Sequence, residues 1–228
     1  GFINMQTEAV DGIGMANNFT VARLRRDLPN RSSVGGLFVN RQATGDQALG
    51  NDYNRSYAVD GRWGIGQNGL VQGFAGRTET PGRTGRDHAL SVSTRYDSET
   101  WRLISGYQEN GEDFNPEVGF IRRTGGFRKF DFGVNNTSRP EGFLKFQELQ
   151  PHMSFTRFWN LDGIMETSFL HLHFQGEFSD SSSAGVAYDV RSEAVFDSFT
   201  VSGIPVPPGR YDFNEVQYSY NYNRSAPV

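Results

Sequence analysis

Apolar and polar residues alternate with a period of two from one end of the chain to the other, and a helical period is nowhere sustained. Tyr57–Ile65 is among the clearest runs: Tyr57, Val59, Gly61, Trp63 and Ile65 share one face, with Asp60 and Arg62 on the other. Leu90, Val92, Thr94 and Tyr96 alternate with Ala89, Ser91, Ser93 and Arg95. Leu170, Leu172, Phe174 and Phe178 oppose His171, His173, Gln175 and Glu177. Val186, Tyr188, Val190, Ala194 and Phe196 oppose Asp189, Arg191, Glu193 and Asp197. Further strands are predicted over Phe2–Val10, Phe19–Asp27, Ser32–Arg41, Leu70–Arg77, Trp101–Gln108, Lys129–Val134 and Phe143–Phe158, with a last one carrying Tyr218, Tyr220 and Tyr222. The total is about twelve strands.

The links between them set the architecture. Those starting at Asp11, Thr44, Thr78 and Glu109 are long, and those at Pro29, Gly66, Asp97 and Arg139 are tight; the short link at Asn160 breaks the rhythm. Outer-membrane barrels alternate short turns at one end with long loops at the other, and their strands need about 9–11 residues to cross a bilayer. The predicted fold is therefore all-β: an antiparallel transmembrane β-barrel of meandering strands, occupying residues 1–228 as one domain.

Composition agrees. Only 36% of residues are hydrophobic, yet the chain holds 19 Phe, 9 Tyr, 3 Trp and 27 Gly. That is too aromatic for a disordered chain, and it fits a protein that is polar inside and apolar outside. No run of about 18 apolar residues offers a membrane helix. A formal net charge of −4 gives no basic excess for nucleic acid. Cysteine is absent, which removes thiolate zinc sites and cysteine nucleophiles.

The least repetitive stretch is Asp113–Arg123. Asn115-Pro116 forces a turn or extended backbone, Gly119 relaxes it, and Phe114 and Phe120 bracket the bend ahead of Arg122-Arg123. Asp113, Phe114, Asn115, Pro116, Glu117, Gly119, Phe120, Arg122 and Arg123 are thus the residues of a structured, candidate binding loop. Glu112, Asp113 and Glu117 offer carboxylates for acid–base work on a sugar, but pairing with Arg122 and Arg123 to staple the loop is the preferred reading. No catalytic constellation, cofactor motif or nucleophile elbow is legible.

The run Phe114–Phe120 with Arg122-Arg123 also resembles a family of bacterial envelope proteins. So do Val21–Leu28, Ser33-Val34-Gly35, Val59-Asp60-Gly61 and Pro208-Gly209-Arg210-Tyr211. In that family a module similar to family 9 carbohydrate-binding domains precedes a large C-terminal β-barrel. The resemblance implies an outer-membrane location, lipid as the surrounding partner, and glycan or envelope-protein partners. Relative to the family pattern the front module and the first and closing barrel strands are missing, so the barrel is expected to be incomplete at both ends. The function expected is a pore, transporter or surface-binding platform; the competing expectation is a soluble, secreted glycan-binding or glycan-hydrolysing domain.

Three further features carry expectations. His171 and His173 share a face, two residues apart, with Glu177 four residues on, and such imidazoles can chelate zinc or copper. The preferred reading is polar lumen residues and no metal site, because a catalytic zinc site needs three protein ligands and no third histidine is near in sequence. Arg23, Arg25 and Arg26 with Asp27 are expected at a strand end as interfacial anchors. Trp63, Trp101, Trp159, Tyr57, Tyr96, Tyr107 and the Tyr218-Tyr220-Tyr222 stripe are expected to form interfacial girdles.

Overall fold

A computed structural model describes residues 1–10, 14–46, 48–119, 121, 123 and 125–223. Its strands are β1 (Phe2–Gln6), β2 (Ala16–Leu28), β3 (Ser32–Thr44), β4 (Tyr53–Ile65), β5 (Gly69–Glu79), β6 (His88–Asp97), β7 (Trp101–Asn110) and β8 (Phe127–Asn136). Then come β9 (Phe146–Leu149), β10 (His152–Trp159), β11 (Met165–Phe178), β12 (Ser183–Val195), β13 (Phe199–Val201), β14 (Ile204–Val206) and β15 (Gly209–Asn221). There is no helix among the described residues.

Strand order follows chain order, β1 through β8, then β10, β11, β12 and β15, with β9 off this path beside β11, in one 13-stranded antiparallel sheet. This is the meander that the alternating pattern predicts. Closure is not seen: the strand path ends at β1 and β15, and no ladder joins them among the described residues. Many strands are long, with 13 residues in each of β2, β3, β4, β12 and β15. That length matches or exceeds the bilayer requirement.

Local chemistry explains the joints and the departures from expectation. Asn30 and Arg31 both have positive φ, 59° and 58°, which makes the β2–β3 connection the primed turn that suits right-twisted strands. The stretch expected as one strand, Phe143–Phe158, runs along one edge of β11 but in two pieces. Leu144 and Lys145 have positive φ, and Pro151, which has no N–H to give the ladder, separates β9 from β10. Arg139–Gly142 is not a tight link to a long strand; it lies in 137–145, where Ser138 pairs with Leu149. The first strand stops at Gln6, with Val10 bridging only to Gly14. The proline-rich Ile204–Gly209 is partly strand, since β13 and β14 form a hairpin about Ser202-Gly203.

By contact density the chain divides into two compact units, Gly1–Ser93 with Tyr107–Arg128, and Thr94–Gly106 with Lys129–Val228. In the first unit, register places Ala22, Leu24, Val34, Phe38, Tyr57, Val59, Trp63, Ile65 and Val71 on one face. Arg23, Arg41, Asn54, Ser56, Asp60 and Thr78 lie on the opposite face. In the second, Met153, Phe155, Leu170, Leu172, Phe174, Val186, Tyr188, Val190, Val216, Tyr218 and Tyr220 form the apolar face. His152, Ser154, His171, His173, Gln175, Asp189, Arg191, Glu193, Glu215 and Gln217 form the polar one, which Tyr211 and Phe213 of β15 also join.

Burial is inverted relative to a water-soluble domain. The buried apolar side chains among the described residues are Ala43, Ala89, Phe127 and Ala187, whereas Leu24 is 80% exposed, Val59 62% and Tyr218 81%. The most buried large side chains are polar: Asn54 and Thr78, each 1% exposed.

Candidate functional site

The two buried polar residues identify the best-built site of the first unit. Asn54 on β4 and Thr78 on β5 face residues 115–117 of the β7–β8 link and hold them against the polar face. Thr78 Oγ1 accepts from Asn115 N at 2.9 Å. Asn54 Nδ2 donates to the Asn115 carbonyl at 2.6 Å and to Thr80 Oγ1 at 2.7 Å, and its Oδ1 accepts from Glu117 N at 3.3 Å. Both donors and the acceptor of the Asn54 amide are used, which is what a buried amide requires.

The loop's own sequence supplies the rest. Pro116 and Gly119 close a turn through Gly119 N to the Pro116 carbonyl, 2.9 Å, and a side chain at Gly119 would press on Pro116 at 3.3 Å. Asp113 donates its N–H to the Arg86 carbonyl at 3.0 Å and accepts from Arg86 N at 3.3 Å. Glu117 accepts from Arg41 Nε on β3 at 2.6 Å, and Arg41 also donates to Asp52 Oδ1 at 2.6 Å and Asn17 Oδ1 at 3.0 Å. The staple on Glu117 therefore comes from Arg41, a strand residue distant in sequence. Phe120 and Arg122, expected in this loop, lie outside the described residues. Arg123 is described and makes interactions of its own.

Between loop and strands lies a cavity of about 410 Å³. Phe114, Pro116 and Val118 form its loop side; Leu37, Ser56, Ala58 and the Arg23–Asp60 ion pair are among the strand residues facing it. Arg23 on β2 reaches Asp60 on β4 across Gly35 of β3. A Cβ there would meet the Arg23 guanidinium at 2.8–3.0 Å, so the glycine is what opens the way. Arg23 is thus a paired residue of the polar face, not the interfacial anchor expected from its neighbours. Arg25, which pairs with Asp27 at 3.0 Å, keeps the exposed, strand-end character.

In the second unit, the polar face carries a histidine cluster. His171 and His173 are joined by His152, which the β10–β11 register sets directly opposite His173. One nitrogen from each ring lies within 4.8 Å of the others. His171 Nε2 is 3.2 Å from His152 Nε2, and His171 Nδ1 is 2.5 Å from Asp189 Oδ1 on β12. His152 is the converging ring that adjacency in sequence does not reveal; Glu177, on the same face, is not among the converging groups.

Of the aromatics expected as girdles, the three tryptophans fall near strand ends. Trp63 precedes the turn at 66–68, Trp101 opens β7 after 98–100, and Trp159 closes β10 before 160–164. Tyr57 instead stacks obliquely on Phe38 at 5.3 Å in mid-sheet, and Tyr107 donates to Glu109 Oε2 at 2.8 Å.

No protein family model, no curated protein and no solved structure matches this chain.

Proposed function

We propose that the chain is an outer-membrane β-barrel protein whose apolar face meets lipid and whose polar face lines a passage for polar solutes, narrowed by the loop Asp113–Gly119. One observation carries this reading. Most of the large exposed apolar side chains stand on one face, while ion pairs, the buried Asn54 amide and a folded-in loop occupy the other, with a minority of exposed apolar residues such as Ile3, Met5, Phe74 and Phe213. A fully exposed Leu, Val or Phe forgoes about 1.5–3 kcal/mol of burial in water, and soluble monomers rarely leave contiguous apolar patches above a few hundred Å². Lipid removes that deficit. Tryptophans beside tight turns support the same reading, because indole rings favour the membrane–water boundary. In lipid the outer edges of β1 and β15 need strand partners.

The loop supports a pore or transporter over a plain anchor. It is held on the polar face by Asn54, Thr78 and Arg41, and it leaves a cavity lined largely by apolar groups such as Leu37, Val39, Phe74 and Phe114, with the Arg23–Asp60 pair at its side, so the loop shapes the space over the polar face. Fractionation tests the reading. The protein is expected to leave membranes only with detergent and to show heat-modifiable gel mobility; recovery as a monodisperse species from detergent-free buffer contradicts it.

A further inference from the structure

We propose that His152, His171 and His173 form a binding site for a first-row divalent cation, with zinc as the best fit. Three of the chain's four histidines converge here from two adjacent strands. Two imidazole nitrogens bound to one tetrahedral zinc at about 2.0–2.1 Å stand about 3.3–3.4 Å apart. The His152 and His171 Nε2 atoms are already 3.2 Å apart. The widest separation in the set, 4.8 Å, closes by rotation of a ring about its side-chain torsions.

The surroundings favour cation binding in two independent ways. Asp189 sits behind His171 on Nδ1, leaving Nε2 as the ligand atom, and a carboxylate so placed orients the ring and raises its basicity. Its other oxygen, Oδ2, accepts from Arg191 Nη2 at 3.0 Å, which fixes the carboxylate and neutralises the arginine. The second feature is space. His173 lies over Gly185 of β12, where a Cβ would come within 3.0 Å of its Nε2, so the glycine leaves the ring room to move. Three imidazoles suit zinc, copper or nickel better than calcium or magnesium. They leave a coordination position for water or another donor. The site links β10 to β11 and does not depend on whether the sheet faces lipid.

The test uses untagged, chelator-treated protein with Co²⁺ as an optical probe and Zn²⁺ as competitor. The expected result is saturable binding of one equivalent, with the visible bands of nitrogen-ligated cobalt, abolished by Zn²⁺. H152Q and H171Q are expected to lose at least 100-fold in affinity, and D189N about 10–100-fold, while H88Q binds like the parent. A direct check on the unaltered protein is carbethoxylation by diethyl pyrocarbonate: zinc should protect His152, His171 and His173 but not His88. Absence of stoichiometric cobalt binding overturns the site, as does parental affinity in H152Q and H171Q or equal modification of all four histidines with and without zinc.

Discussion

Asn54 and Asn115 are joined by a 2.6 Å hydrogen bond from a strand amide to a loop carbonyl, across 61 residues of sequence. The same Asn54 side chain also receives the Glu117 N–H, so one buried amide fixes both ends of the Asn115-Pro116-Glu117 bend. N54A leaves the Asn115 carbonyl and the Glu117 N–H without their partner. Each buried, unsatisfied backbone group costs about 1–3 kcal/mol. The expected outcome is a loop that opens: limited proteolysis within Asp113–Gly119 becomes fast, while the β-sheet circular dichroism is unchanged.

Arg41 ties the loop to β3 through Glu117 and to Asp52. Because both partners are acids, R41Q releases the loop and also leaves two carboxylates facing the polar side. In planar bilayers the R41Q protein is expected to show higher single-channel conductance than the parent and greater cation preference. E117Q releases the same tie with one carboxylate fewer, so its conductance should rise with less change in selectivity.

Gly35 and the Arg23–Asp60 ion pair form a second coupled set. G35V places bulk where the guanidinium crosses β3, and the pair separates. Both side chains are about one-third exposed, so the pair itself contributes at most about 1 kcal/mol. A double-mutant cycle reads it: G35V should destabilise the parent more than it destabilises R23A. Equal effects in the two backgrounds would show that the glycine serves another purpose.

Much of the fold is written in the alternation, because strand side chains have a period of two and a face is read directly from residue parity. Val190 against Asp189 and Arg191, and Tyr57–Ile65 against Asp60 and Arg62, fall on the sides that parity assigns them. Parity does not say which strands are neighbours. His152 is 19 residues from His171, and the two meet only because β10 and β11 pair in a particular register. Thr78, expected at the start of a long link, lies instead within β5, and with Asn54 near the start of β4 it anchors the candidate site. The β13–β14 hairpin was hidden by Pro205, Pro207 and Pro208; Ser202-Gly203, both at positive φ, is the turn signal beneath them. The loop Asp113–Gly119 was recognisable as structured from Pro116 and Gly119, but its partners lie on β3, β4 and β5, beyond the reach of local sequence.

The most direct measurement is the environment of adjacent residues. The chain has no cysteine, so single-cysteine variants accept a spin label at one place only. Labels at V59C and V190C, on the apolar faces, should be relaxed by oxygen dissolved in lipid. Labels at D60C and D189C, one residue away on the polar faces, should be relaxed by a water-soluble nickel chelate. Alternation of the two responses with a period of two, in reconstituted bilayers, is the predicted result. Equal access of the aqueous chelate to all four positions would contradict a lipid-facing sheet.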